Sequence, residues 1–173
     1  MQFSLNKPAK LGQTQLVLID GPAGAGKTTL SKKLEVQFQA PVIHLEFLYN
    51  GWDDALTSTL TNNLLKLCNS IEAGRNHLLP IYDWAEKKFT DVRTIAPTPK
   101  LIIEGVGSGQ SAIRNFASLL IWVDADPKVA LERVMNRDGY NYPDEISRWK
   151  IREAAHFELE QTAKFADFHY RTT

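Results

Sequence analysis

The sequence contains very little cysteine and carries no net charge. Its 173 residues include a single cysteine, Cys68, so the chain cannot form an internal disulfide. Such cysteine usage favours a reducing, cytoplasmic compartment. The 20 basic and 20 acidic residues cancel, whereas a protein that binds nucleic acid usually carries a basic excess. We therefore expect no nucleic-acid partner.

Long hydrophobic runs are absent as well. The longest candidate, Leu119 to Val123 with its neighbours, falls far short of the roughly 18 residues that span a bilayer. The segment before Gln15 lacks the apolar core of a secretory signal, so we expect no membrane partner. Hydrophobic residues make up 43% of the chain and charged residues 23%, which argues against disorder. The length suits a single domain over residues 1–173.

Short apolar runs alternate with helical patterns along the chain. The predicted strands are Leu16–Ile19, Val42–Leu45, Leu101–Ile103 and Leu119–Val123, with a candidate edge strand at Asp167–Arg171. The predicted helices are Thr28–Gln39, Asp53–Ala73, Gln110–Phe116, Pro127–Arg137 and Asp144–Ala166. This alternation predicts an α/β fold with a mostly parallel sheet and helices on both faces. Residues 76–100 show no clear period, and we interpret them as a long excursion.

Residues 21–28 match the pattern G-x-x-x-x-G-K-[ST] at every fixed position. The glycines let the backbone point its N–H groups at phosphate oxygens, and the following helix adds its positive end. A strand before the motif and a helix after it predict the three-layer P-loop NTPase fold with Mg²⁺ and a bound nucleoside triphosphate, either ATP or GTP. Of the two, we expect ATP. We expect the phosphates to contact Gly21, Ala23, Gly24, Ala25, Gly26, Lys27, Thr28 and Thr29.

Carboxylates follow the predicted strands at the edge where ligands of parallel sheets bind. Glu46 follows the second strand and would face the γ-phosphate, where it could orient an acceptor hydroxyl and take its proton. A monophosphate acceptor needs no such base, so Glu46 favours a hydroxyl acceptor. Glu104 ends the third strand and, with Thr28, would hold Mg²⁺. The alternatives are a solvated loop carboxylate at either position, a water-mediated Mg²⁺ ligand at Glu46, or a helix-capping carboxylate at Glu104.

These residues resemble the uridine kinase-like P-loop kinases, and in particular their small bacterial members. The resemblance covers about residues 15–168 and is carried by Asp20–Thr29, by Glu46 with Leu48-Tyr49, by Pro80–Asp83 and by Ile102–Gly105. It implies a parallel five-stranded sheet with a mobile lid. It also implies ATP-dependent transfer to a hydroxyl, which in that family is the 5′-hydroxyl of a pyrimidine nucleoside.

The resemblance also implies roles for individual residues. Glu46 matches the family's catalytic aspartate, Tyr82 its base-contacting tyrosine, and Glu104 its glutamate near Mg²⁺. Asp83 follows Tyr82 in the same motif and would orient the acceptor, and Tyr49 belongs to the Glu46 motif. Trp84 and Trp52 would stack on a planar acceptor, unless they only pack. Residues 133–152 resemble the lid, in which Arg133 and Arg137 would join Lys27 in clamping the phosphates, unless they form a solvated face.

Three positions depart from the family pattern. Glu46 replaces an aspartate, Phe47 stands where small members often have a second acid, and Lys87 replaces a histidine. Two alternatives to a nucleoside kinase stay open: a cytidylate-type nucleoside-monophosphate kinase, and a nucleotide-binding regulatory module with little turnover. Homo-oligomerisation also stays open. The four histidines show no metal-cage spacing, so we interpret them as structural or surface residues.

Overall fold

Five parallel strands form the central sheet of the computed structural model, which describes residues 3–139 and 141–173. The strands are β1 (Gln15–Asp20), β2 (Val42–His44), β5 (Lys100–Glu104), β6 (Ala117–Ala125) and β7 (Phe168–Thr172). Their spatial order is β2-β5-β1-β6-β7. The predicted α/β class is confirmed, and the predicted edge strand is β7, which pairs in parallel with β6.

Helices cover both faces of this sheet because successive strand residues point to opposite sides. In β1, Leu16 and Leu18 belong to one buried cluster, while Val17 and Ile19 belong to the other. Helix α2 (Ser58–Glu72) packs on the first side and α1 (Lys27–Phe38) on the second. The remaining helices are α3 (Ser111–Arg114), α4 (Pro127–Val134), α5 (Pro143–Glu160) and α6 (Thr162–Phe165).

Two predicted helices have different boundaries in the structure. The helix predicted from Asp53 begins at Ser58, because Leu56 has a left-handed φ of 59° and Thr57 caps the helix through the Thr59 N–H. The helix predicted over Asp144–Ala166 is two helices, α5 and α6, because Gln161 has a φ of 50°. Local turn chemistry, rather than apolar spacing, decides both boundaries.

The excursion predicted for residues 76–100 lies apart from the central sheet, but most of it forms an antiparallel hairpin that the sequence did not predict. Strand β3 (His77–Asp83) pairs with β4 (Lys88–Ile95) in a separate two-stranded sheet. Every residue of β4 except Ile95 is exposed, so β4 has no buried face to impose an apolar alternation. The hairpin therefore leaves no periodic signal in the sequence.

The predicted lid, residues 133–152, comprises the end of α4, a π-helical turn at Met135–Gly139 and the first half of α5. Tyr140, which falls within this prediction, lies outside the described residues. Across the described ranges, no helix is both long and apolar enough to cross a bilayer.

Candidate active site

The phosphate loop runs from the end of β1 to the start of α1 and packs tightly against its neighbours. Gly21 has a φ of 143°, and a Cβ there would lie 2.0 Å from the Val123 carbonyl oxygen. Gly24 has a φ of 81°, and a Cβ there would lie 2.1 Å from the Ala130 carbonyl oxygen. Both positions therefore require glycine, and the loop is fixed against β6 and α4.

Lys27 lies at the centre of this loop and is almost completely buried. Its ammonium donates to the carbonyl oxygens of Gly21 (2.8 Å) and Pro22 (2.9 Å). Burial lowers the pKa of Lys27, and the nearby Glu104 and Asp20 carboxylates counteract that effect. The loop thus holds a cationic group beside backbone amides, which is the chemistry that a polyphosphate needs.

Thr28, His44 and Glu104 meet at the carboxyl edge of the sheet. The Thr28 hydroxyl donates to Glu104 Oε1 at 3.1 Å, and His44 Nδ1 lies 2.5 Å from the same oxygen. The register of β2 against β5 pairs His44 with Glu104, and this hydrogen bond raises the pKa of His44. The prediction that His44 is a structural or surface residue missed this contact with a candidate metal ligand.

The donor set at this point suits Mg²⁺. A hydroxyl and a carboxylate are hard oxygen ligands, and protein-bound Mg²⁺ typically takes one or two such ligands and completes its shell with phosphate and water. No group of three or more His, Cys, Asp or Glu residues in the described part of the chain could enclose a metal by itself. The residues present therefore fit a nucleotide-bound Mg²⁺ rather than an all-protein metal site.

Asp20 joins the phosphate loop to the glycine-rich loop that follows β5. Its carboxylate accepts hydrogen bonds from the N–H groups of Gly21 (2.8 Å), Gly107 (2.9 Å) and Gly109 (2.8 Å). Asp20 is completely buried, and burial raises its pKa to about 6. This acid at the end of β1 thus ties two loops of the site together and is not available to a ligand.

A cavity of about 740 Å³ joins the phosphate loop to the predicted acceptor side. It brings together most of the residues predicted for the site, and Lys87 and Trp149 also line it. The predicted residues that line it are Ala23, Gly24, Gly26, Lys27, Thr28, Thr29, Glu46, Tyr49, Trp52, Tyr82, Trp84, Glu104, Arg133 and Arg137.

Three predicted residues lie outside the cavity lining. Gly21 and Ala25 belong to the body of the phosphate loop, where Gly21 meets β6. Asp83 caps the hairpin turn by accepting hydrogen bonds from the N–H groups of Ala85 (2.8 Å) and Glu86 (3.0 Å).

Aromatic side chains cluster in the part of the cavity where the sequence predicts an acceptor. The ring centroids of Trp52 and Trp84 are 5.2 Å apart, and so are those of Tyr82 and Trp84. The Trp84 indole donates to the Glu46 carbonyl oxygen at 3.0 Å, which connects the hairpin to the turn that carries Glu46. Glu46 is exposed and lines the same cavity as Trp52, Tyr82 and Trp84, which we call the aromatic wall.

Tyr49 has a different position from the other aromatic residues. Its hydroxyl donates to the Val106 carbonyl oxygen at 2.7 Å, and its side chain is buried. Burial raises the pKa of Tyr49 well above its usual value. Its polar group is therefore engaged by the loop after β5, while part of the residue contributes to the cavity wall.

The two predicted lid arginines differ in their contacts. Arg133 donates to the Gly24 carbonyl oxygen at 3.2 Å and to the Thr172 hydroxyl at 3.1 Å, so it touches the phosphate loop itself. Arg137 is exposed and donates to the Asp138 carboxylate at 2.7 Å. Arg137 is thus the more accessible of the two predicted lid arginines, both of which line the cavity.

Sequence reasoning missed Glu153, a buried carboxylate in the middle of α5. Its Oε1 accepts the Ala23 N–H at 2.6 Å and the Trp149 indole N–H at 3.2 Å. The available signal was the spacing of Trp149 and Glu153, which lie four residues apart and share one helix face. Nothing in that spacing indicated that the face packs on the phosphate loop.

Comparisons with known proteins agree with this fold. The model of the AAA domain family matches residues 17–154. The solved structure of a possible uridine kinase from Bacillus stearothermophilus is 20% identical, with a TM-score of 0.64 over 98% of this chain and 91% of that one. A candidate fructose transport system kinase from Silicibacter sp. TM1040 is 18% identical, with a TM-score of 0.66 over 97% and 93%. The comparison with curated proteins gives no match.

Proposed function

We propose that this chain, which belongs to the AAA domain family, is an ATP-dependent phosphotransferase. Its acceptor would be a hydroxyl of a small molecule, in the first place a nucleoside. The observation that carries the proposal is the cavity of about 740 Å³, whose lining includes both Lys27 and Glu46. A phosphate-binding cation and an exposed carboxylate in one cavity are what transfer to a hydroxyl requires. Both solved structures named above are described as kinases, which supports the reaction class.

The phosphate loop would bind and orient the donor. Lys27 would hold the polyphosphate together with loop N–H groups other than those of Gly21 and Ala23, which donate to Asp20 and Glu153. Thr28 and Glu104 would hold Mg²⁺. Bound Mg²⁺ would offset negative charge on the β- and γ-phosphates. Arg137, which is exposed to the cavity, would place a further positive charge beside the transferring group.

Glu46 would orient the acceptor hydroxyl and receive its proton. The hydroxyl oxygen forms a bond to the γ-phosphorus, the bond from that phosphorus to the β–γ bridging oxygen breaks, and ADP leaves. The proton of the hydroxyl passes to the Glu46 carboxylate, so the step is balanced. The aromatic wall would hold a planar acceptor by stacking against it.

A direct test is ADP release from Mg·ATP in the presence of single acceptors: uridine, cytidine, CMP, pantothenate and sugar acids. The proposal expects at least one hydroxyl compound to stimulate release severalfold over the basal rate. Lys27→Ala is the control, because it removes the buried ammonium from the phosphate loop. Stimulation that persists in Lys27→Ala, or no stimulation by any hydroxyl compound, would contradict the proposal. Stimulation by pantothenate or a sugar acid alone would keep the hydroxyl acceptor and exclude the nucleoside.

One observation favours a second candidate, transfer to a nucleoside monophosphate. Lys87, Arg137 and Arg148 line the cavity together with the aromatic wall, and such cations suit an acceptor that already carries a phosphate. Stimulation by CMP and not by cytidine would select this candidate.

A further inference from the structure

Glu153 is a buried carboxylate that the proposed reaction does not use. It lies in the middle of α5 and is 5% exposed. Its Oε1 accepts the Ala23 N–H (2.6 Å) and the Trp149 indole N–H (3.2 Å), while Lys150 donates to its Oε2 (3.0 Å). Burying a carboxylate is costly unless it is paired and hydrogen-bonded, and here three donors satisfy it.

The contact with Ala23 reaches the phosphate loop from the side of α5. The Lys150 ammonium lies 3.4 Å from the Ala23 carbonyl oxygen, so α5 engages both backbone polar groups of this residue. On the other side, Arg133 donates to the Gly24 carbonyl oxygen at 3.2 Å. The apex of the phosphate loop, which we define as Ala23 and Gly24, is therefore fixed between α4 and α5.

The contact with Trp149 reaches the acceptor end of the cavity. Trp149 lines the cavity, and its ring centroid lies 5.6 Å from that of Tyr49 and 6.1 Å from that of Trp52. Its indole N–H is bound by the same Glu153 oxygen that holds the Ala23 amide. A single carboxylate oxygen thus connects the phosphate loop with Trp149, which packs beside Trp52 of the aromatic wall.

We propose that Glu153 is a positioning residue that fixes the apex of the phosphate loop relative to the aromatic wall. It acts through its hydrogen bonds with Ala23 and Trp149. The inference rests on the proposed function, because it assumes that the loop binds a nucleotide. Phosphate-binding amides act only when they are correctly placed, since displacement of about 1 Å weakens a positioned site. Loss of the Glu153 contacts would free the apex from α5.

The test measures the Kd of Mg·ATP by calorimetry and the midpoint of thermal unfolding for matched variants. Glu153→Ala leaves the Ala23 N–H without its acceptor, and we expect a Kd roughly tenfold weaker. Glu153→Asp keeps the charge but is one methylene shorter, and we expect a Kd of Mg·ATP about threefold to tenfold weaker. Glu153→Gln keeps an oxygen that can accept from Ala23 and Trp149, so its Kd should stay within about threefold of the original chain.

Two further variants separate positioning from general stability. Trp149→Phe keeps an aromatic ring but removes the indole N–H, and we expect a Kd about threefold weaker. Glu158→Ala changes an exposed residue of the same helix and should leave the Kd unchanged. All affinities are measured at temperatures well below the unfolding midpoint of each variant. At those temperatures, substitution of a residue that only stabilises the fold would leave the Kd unaltered. If Glu153→Ala does not fold, Glu153→Asp and Glu153→Gln carry the comparison.

Each outcome decides one claim. An unchanged Kd in the folded Glu153→Ala and Glu153→Asp proteins overturns this inference and leaves the proposed function standing. Equal losses in the Glu153 variants and in Glu158→Ala also overturn it. If the original chain binds no Mg·ATP, both the proposed function and the inference fail. A graded loss, with rescue by Glu153→Gln, supports the positioning role.

Discussion

The Thr28 hydroxyl donates to Glu104 Oε1 across 3.1 Å and joins the first turn of α1 to the end of β5. The two residues are 76 positions apart in the sequence, and the parallel pairing of β1 with β5 brings them together. A hydroxyl and a carboxylate at this distance form a pair of oxygen ligands next to the phosphate loop. These two residues are therefore the ones that would hold Mg²⁺ under the proposed function.

The first prediction concerns Glu104. Glu104→Gln removes the negative charge while it keeps the size of the side chain, so the Mg²⁺ concentration for half-maximal ADP release should rise about tenfold. A titration of ADP release with Mg²⁺ at fixed ATP measures this shift. An unaltered Mg²⁺ dependence would show that Glu104 is not a ligand.

The second prediction concerns Glu46. If its carboxylate takes the acceptor proton, Glu46→Gln should lower acceptor-dependent turnover by about 10² to 10⁴. The Kd of Mg·ATP should change little, because the side chain lies on the acceptor side of the cavity and its backbone carbonyl is held by Trp84. Single-turnover kinetics and nucleotide titration separate the two effects. Equal turnover in the two proteins would remove Glu46 from the mechanism.

The third prediction concerns the pH dependence of stability. Burial raises the pKa of Asp20 from its ordinary value of 3.8 to about 6, so the folded chain takes up a proton at a higher pH than the unfolded chain. Asp20 therefore adds stability below pH 3.8 and loses that contribution as the pH rises through 6. Over this window its contribution to the free energy of unfolding should change by roughly 3 kcal/mol.

Denaturant unfolding at several pH values between 4 and 7 checks this prediction. His156 acts in the opposite direction, because burial lowers its pKa and the unfolded chain takes up protons first. The comparison with Asp20→Asn isolates the Asp20 contribution, since the variant retains His156. Parallel pH profiles in the two proteins would contradict the prediction.

The fourth prediction concerns the tight packing of the phosphate loop. Gly24→Ala places a Cβ 2.1 Å from the Ala130 carbonyl oxygen at a left-handed φ of 81°, and we expect a loss of at least about 2 kcal/mol in unfolding free energy. Gly74→Ala is the matched control, because Gly74 also has a left-handed φ, of 68°, but a Cβ there meets no atom of the described chain within 4 Å. Its cost should be about 1 kcal/mol. Similar costs for both variants would show that the loop relaxes easily.

Strands β1, β2, β5 and β6 of the central sheet could be predicted because each is a short, largely buried run between turn residues. Strand β7 has no buried residue, and the sequence pattern indicated only a candidate edge strand there. The phosphate loop could be predicted because its function dictates residue types at fixed spacing, as at Gly21, Lys27 and Thr28. The hairpin could not be predicted, because an almost wholly exposed strand such as β4 has no periodic apolar face.

Contacts between distant segments are a second limit. Glu153 meets Ala23 across 130 positions, and His44 meets Glu104 across 60. Both contacts depend on how helices and strands pack, which residue spacing alone does not specify. The sequence shows the residue types that form these contacts, but it does not show which residues meet.

The most direct test of the central claim is to identify the product that forms together with ADP. Mg·ATP is incubated separately with uridine, cytidine or CMP, and ADP, the phosphorylated acceptor and inorganic phosphate are quantified by mass spectrometry and phosphate assay. Transfer to a hydroxyl predicts equal amounts of ADP and phosphorylated nucleoside, both lost in Lys27→Ala. ADP accompanied only by inorganic phosphate, or product formed from CMP and not from either nucleoside, would contradict transfer to a nucleoside hydroxyl.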